Sequence, residues 1–274
     1  MKKWTLSAIL YVLLVVAGYT LNGFFQVEES SDAQSESGNH GHSEKEQVQE
    51  HTEEEGHEGH GVADSEVNVT LDYKEDLLYI TLTDNEGNPV SDLEINHEKY
   101  MHVIVVNEHL DTYQHIHPNE VGAGNYEVAV ELENDNYRVF VDIKPKDLSY
   151  TVQPMSIVVG EVTDTHGHGL QPDNDFTQEM DGKKVTLQMS SQTAGEAVTL
   201  NFELDATELE PYLGAMGHVV ILDEHGEKYL HVHPEDTTKP VFGTQFDQPG
   251  IYKIWAEFKQ DGKVRVFPFV VEIL

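Results

Sequence analysis

Residues 102–118 read HVIVVNEHLDTYQHIHP, and residues 218–234 read HVVILDEHGEKYLHVHP. Eight of these 17 positions are identical without a gap, and most of the others exchange Val, Ile and Leu or Asn and Asp. A unit that recurs in this way is the mark of a duplicated domain. The likeness continues outward. NYRVFVDIK (136–144) matches IYKIWAEFK (251–259) after a shift of one residue, and MSIVV (155–159) matches PFVVEI (268–273). Upstream, VNVTLDY (67–73) and LLYITL (77–82) resemble KVTLQMS (184–190) and AVTLNFEL (197–204).

These segments are short, alternating and rich in β-branched residues. Turn formers separate them, among them Asn85-Glu86-Gly87-Asn88-Pro89, Asp181-Gly182, Gln248-Pro249-Gly250 and Asp261-Gly262. Strands of this kind, roughly seven per 100 residues, predict antiparallel sandwiches. The expected fold class is therefore all-β, with two tandem β-sandwich domains at 64–163 and 178–274 and a linker at 164–177.

The first 25 residues carry Lys2 and Lys3 and then run apolar from Trp4 to Phe25 without a charge. That length suits a bilayer-spanning helix, and the lysines would hold its start in the cytoplasm. A cleaved signal peptide is the alternative. Both place the domains outside the cytoplasm. Residues 26–63 are polar, acidic and low in apolar content, which predicts a disordered tether. His40, His42, His51, His57 and His60 lie in it and would collect divalent ions weakly.

The whole chain has 50 acidic and 16 basic residues, a net charge of −34, 16 histidines and no cysteine. Disulfides and thiolate metal sites are excluded. Nucleic acid is an unsuitable partner, because phosphate contacts need Lys and Arg. A transition-metal site would have to use His, Met or carboxylate.

The repeated unit supplies such a site. In a strand, residues two apart share a face, so His115 pairs with His117 and His231 with His233. Ile116 and Val232 point the other way, to a core. With an even hairpin loop centred between Glu108 and His109, His102 falls opposite His115, and at the next even register opposite His117. The same sum brings His218 to His231 or His233. Three imidazoles then converge on one face in each repeat, a set suited to copper or zinc. Met216, in Gly214-Ala215-Met216-Gly217-His218, adds a soft thioether that favours copper. His109 and His225 fall on turn tips and read as surface residues. His97 receives no role.

At these residues the chain resembles the YtkA-like group of bacterial secreted metal-binding proteins, with Ig-like or cupredoxin-like β-domains. The pattern is Tyr212-Leu213-Gly214-Ala215-Met216-Gly217-His218, then His231-Val232-His233-Pro234, then Gln248-Pro249-Gly250-Ile251-Tyr252. The first repeat keeps the HxHP but has Tyr100-Met101-His102 and Gly124-Asn125-Tyr126 elsewhere. The resemblance implies metal handling and ranks His218, His231, His233 and Met216 ahead of His102, His115 and His117. The expected function is a membrane-tethered extracytoplasmic chaperone, buffer or sensor for copper, with zinc the alternative ion and a metal-transport or sensor protein as partner. A cell-surface interaction module with structural histidines and a zinc-dependent hydrolase are the competing readings. No catalytic residue is assigned, since HExxH, Gly-x-Ser-x-Gly and phosphate-loop motifs are lacking.

Overall fold

The computed structural model describes residues 65–162, 169–205, 207–230 and 232–274, and of His233 the backbone alone. The expected membrane segment and tether, together with His166, His168 and His231, lie outside the described residues. Among those described there is no helix long and apolar enough to cross a membrane.

The described chain is all strand and turn. The first repeat comprises β1 (Val67–Lys74), β2 (Leu77–Asp84), β3 (Leu93–Glu94), β4 (Met101–Asn107), β5 (Tyr113–Ile116), β6 (Asn119–Gly122), β7 (Asn125–Ala129), β8 (Asp135–Pro145) and β9 (Met155–Val159). The second comprises β10 (Thr177–Met180), β11 (Lys183–Met189), β12 (Ala197–Glu203), β13 (Leu209–Glu210), β14 (His218–Asp223), β15 (Tyr229–Leu230), β16 (His233–Asp236), β17 (Val241–Gln245), β18 (Gly250–Gln260) and β19 (Lys263–Ile273). All pairings are antiparallel. Each repeat is a sandwich of two sheets. In the first, β1-β2-β7-β6 faces β3-β8-β4-β5, with β9 also on β8. In the second, β10-β11-β12-β17-β16 faces β13-β18-β14-β15, with β19 on β18.

Alternation explains the ordinary strands: along β2 the buried residues are Leu78, Ile80 and Leu82, every second position. These join Val103, Val105, Val139 and Val141 in the first core. The second core is richer in aromatics, with Phe202, Phe242, Phe258, Phe267 and Phe269 fully enclosed. β4 breaks the pattern, being buried at every position. One face lines its own core, and the other meets the second repeat.

That meeting is a third apolar cluster of Ile104, Val106, Leu110, Phe140, Val220, Leu222 and Trp255. It is reciprocal. Tyr113 of the first repeat stacks on Trp255 of the second, with ring centres 4.9 Å apart. Tyr229, the repeat equivalent of Tyr113, stacks on Phe140, the equivalent of Trp255, at 5.6 Å. Equivalent residues thus exchange partners, as across a two-fold axis. The acids that bridge the repeats are also equivalent, although their partners are not. Glu257 binds His115 at 2.8 Å, and Asp142, its repeat equivalent, accepts from the Tyr229 hydroxyl at 2.9 Å.

Residues 169–176, read from sequence as linker, pack onto the second repeat. Leu170 packs against the interface cluster, and Asp173 exchanges two hydrogen bonds with the backbone of Val270: its N–H donates to the carbonyl, and its carboxylate accepts from the N–H.

Candidate metal centre

Histidine enters the interface because of where the hairpin turns. Asn107 closes the turn after β4, its side-chain oxygen accepting from the N–H groups of Asp111 and Thr112, both at 3.0 Å. Asp223 does the same in the second repeat for Glu227 and Lys228. This Asx closure makes the connection six residues long, with Val106 opposite Tyr113. The turn centre therefore lies between His109 and Leu110, one residue beyond the centre assumed from sequence. Of the two registers expected, continuation of the ladder places His102 opposite His117, with His115 opposite Ile104 on the same face. Ile116 packs on the first core. The chain then leaves one sheet for the other at His117-Pro118, between β5 and β6.

The face shared by His102, His115 and His117 is the one turned toward the second repeat. Sequence spacing implies one triad per repeat; the structure brings a histidine of the second repeat into the first triad. Ligand atoms of His102, His115 and His218 lie within 4.8 Å of one another. His102 and His218, equivalent in the repeat, stack nearly parallel with ring centres 5.5 Å apart. His115 and His117 lie 4.9 Å from His218 and 4.8 Å from His102 respectively. Imidazoles bound to one tetrahedral ion through nitrogens at about 2.0–2.1 Å have ring centres about 5 Å apart, so the spacing fits a shared ion.

Hydrogen bonding fixes which nitrogens are available. His102 Nε2 donates to the carbonyl of Asn96 at 2.8 Å, which leaves Nδ1 as the lone-pair nitrogen. His115 Nδ1 donates to the Glu257 carboxylate at 2.8 Å, which leaves Nε2 as the lone-pair nitrogen. Those two lone-pair nitrogens face each other at 2.9 Å, and His117 Nε2 lies 3.2 Å from His102 Nδ1. Two acceptors at that distance repel unless a cation sits against them. At His117 a proton is disfavoured: burial, then the field of neighbouring His115, pushes the group down to about 3. Burial likewise pushes His102 down to about 4, against the bond to Asn96. Imidazoles held neutral at 102 and 117 would accept a metal without first losing protons.

Met101 is buried in the first core, on the face of β4 opposite His102. Met216 is half-buried in the loop before β14, where it bridges to Tyr212 through the backbone. His231 lies outside the described residues. The backbone of His233 begins β16, paired with Gly243 in the other sheet. His225 is exposed on its turn and His109 half-buried on its own.

Sequence spacing missed His97, whose ring centre lies 5.3 Å from that of His218, and Glu257, the carboxylate bonded to His115. Neither belongs to the hairpin motif. A signal for the interface was present, however: VIVV (103–106), VFVDI (139–143), VVIL (219–222) and IWAEF (254–258) are apolar on successive positions. Strands with that pattern are buried on both faces, and the acids within them mark a polar spot in an apolar contact.

A search of curated proteins finds no match. Two solved structures are among those that a structural search returns. One is FdeC, an Escherichia coli adhesin, at 15% identity over 77% of this chain and 65% of that one, with a TM-score of 0.23. The other is described as membrane anchored, from Corynebacterium diphtheriae, at 10% identity over 77% of this chain and 59% of that one, with a TM-score of 0.21. The chain spans less than two thirds of either. One family profile matches twice, at residues 62–160 and 178–274, which takes in both sandwiches and most of the sequence. The chain accordingly belongs, by two tandem copies, to the family described as a domain of unknown function, DUF8832.

Proposed function

We propose that this protein binds a copper ion in the imidazole cluster between its two repeats. It acts as an extracytoplasmic chaperone, buffer or sensor tethered to the membrane by residues 1–25. The observation that carries this reading is the pair of facing lone-pair nitrogens, His102 Nδ1 and His115 Nε2, 2.9 Å apart, with the other nitrogen of each ring committed to Asn96 and Glu257. His218 completes a three-nitrogen set, and His117 offers a fourth. The Glu257–His115 pair is the carboxylate–histidine arrangement that orients metal ligands and raises their basicity.

Copper is favoured over zinc because a given set of imidazoles binds copper(II) more tightly. The resemblance of the HxHP region to the YtkA-like group points in the same direction. No catalytic step is assigned: Glu257, the carboxylate bonded into the cluster, already accepts from His115 and is not placed as a base for a metal-bound water. The acidic, His-bearing tether would raise the local concentration of ions beside the folded centre.

The test is copper and zinc content, and affinity by competition with a chromophoric chelator, for the full chain in detergent. Wild type should hold one tightly bound copper per chain, and His115→Ala with His218→Ala should lose it while the tether retains weak sites. Absence of a tight site in wild type would leave the surface-module reading in its place.

A further inference from the structure

A fifth imidazole stands beside the four. His97 meets His218 edge to face at 5.3 Å and His102 at 6.1 Å. The other four histidines come from hairpin strands or their ends, whereas His97 sits on the tight turn 96–99. Two backbone hydrogen bonds between Asn96 and Lys99 close that turn. His97 and Glu98 both adopt left-handed backbone, with φ of 48° and 66°. Such conformations cost energy in a residue other than glycine and cluster at functional positions.

The second repeat supplies an internal control. Its equivalent turn, Tyr212 to Ala215, has the same pair of backbone hydrogen bonds and the same left-handed pair, Leu213 at 52° and Gly214 at 80°. Position 97 is therefore served by leucine in the sister copy with no change of shape. The turn does not need an imidazole, and something other than the fold accounts for the one at 97.

The turn also borders a cleft of about 570 Å³ in the first repeat. Glu98, Lys99 and Tyr100 line it, and His117 lines it from the other side. Asp92 and Glu120 add carboxylates to its wall. On the inner side, the same turn presents the Asn96 carbonyl that holds His102.

We infer that His97 is the exchange ligand of the centre, the imidazole beside His218 and His102 that takes hold of a copper ion entering or leaving the cluster. The inference rests on the copper reading. Entry through the cleft reaches His117 and the 96–99 turn first. One ring nitrogen binds as another lets go, so the ion keeps its oxidation state. His102, His115 and His218 form the compact set and His117 adjoins it through His102, so a further imidazole against His218 would give a departing ion a new bond before the old one breaks.

The test uses the copper-loaded full chain in detergent, wild type and His97→Leu, a variant whose side chain the sister turn already accommodates. Transfer to an excess of a strong chromophoric chelator is followed by stopped flow, and equilibrium affinity by competition. The expected result is a transfer rate lowered roughly tenfold with affinity changed by less than about threefold. In His97→Gly, the missing ring should be replaced by free imidazole, which restores the rate. An unchanged rate in His97→Leu overturns the inference. So does faster loss of copper with affinity lowered in proportion, which would make His97 a holding ligand. A wild-type chain without a tight copper site removes the parent reading and this one together. Tight binding with either of the preceding results removes this one alone.

Discussion

At the scale of single residues, the buried imidazoles couple the fold to proton concentration. His102 in the folded protein is pushed down to about 4 from an ordinary 6.5, and His117 to about 3. The folded state thus binds fewer protons than the unfolded chain, and stability is lost as pH falls from about 6.5 toward those values. For His102 alone the loss amounts to about 2 kcal/mol at pH 5, and His117 adds to it in the same direction. Urea denaturation of metal-free protein should show a midpoint that falls between pH 7 and pH 5. Substituting both histidines with glutamine should flatten that dependence. Glu257→Gln probes a different property. It keeps an oxygen for the His115 N–H but removes the charge, and should weaken copper binding about 10–100-fold with little loss of stability. Equal affinity in that variant would remove Glu257 from the account of the site. The two HxHP histidines of the first repeat were legible in the sequence because strand periodicity is local. Glu257 was not, because its partner is 142 residues away in the chain.

At the scale of elements, β14 shows how closely the backbone is drawn in to aim one imidazole. Gly217 precedes His218 with φ of 137°, and a Cβ there would lie 2.5 Å from the Phe258 ring and 2.9 Å from the Glu257 carbonyl. Phe258 is fully buried among the aromatics of the second core, so it has little room to yield. Gly217→Ala should therefore cost about 1–3 kcal/mol and weaken copper binding in the same variant, since β14 must shift away from β18. Thermal unfolding with and without copper checks both. The element boundaries were largely readable: turn signals at Asp181-Gly182 and Asp261-Gly262 fall where hairpins turn. The register was not fully readable. Whether His102 faces His115 or His117 depends on the side chain of Asn107 closing a six-residue connection, and hydrophobic pattern alone tolerates either even register.

At the scale of the described molecule, the two sandwiches are joined by an apolar face as dry as a core. Trp255 is 2% exposed and stacked on Tyr113. Trp255→Ala should cost about 3–5 kcal/mol, and because the loss falls between the repeats, calorimetry should resolve two unfolding transitions where wild type shows one. A single, merely shifted transition would mean that the repeats do not depend on this contact. Copper bound to ligands from both repeats should raise the midpoint of wild type and have little effect on His218→Ala. That histidines of both repeats gather in one cluster was hidden in the sequence, where each copy carries a seemingly complete histidine set of its own.

The reciprocal contact of Tyr113 with Trp255 and of Tyr229 with Phe140 is also how two separate copies of one repeat would meet. In such a homodimer every substitution is made twice, and both halves of a site on the axis must stay alike. Joining the copies in one polypeptide lifts that restriction. A histidine at 97 can face a leucine at 213, and an aspartate at 142 a glutamate at 257. A pocket that began symmetric can then become lopsided, with an imidazole on one side where the other keeps an alkyl chain.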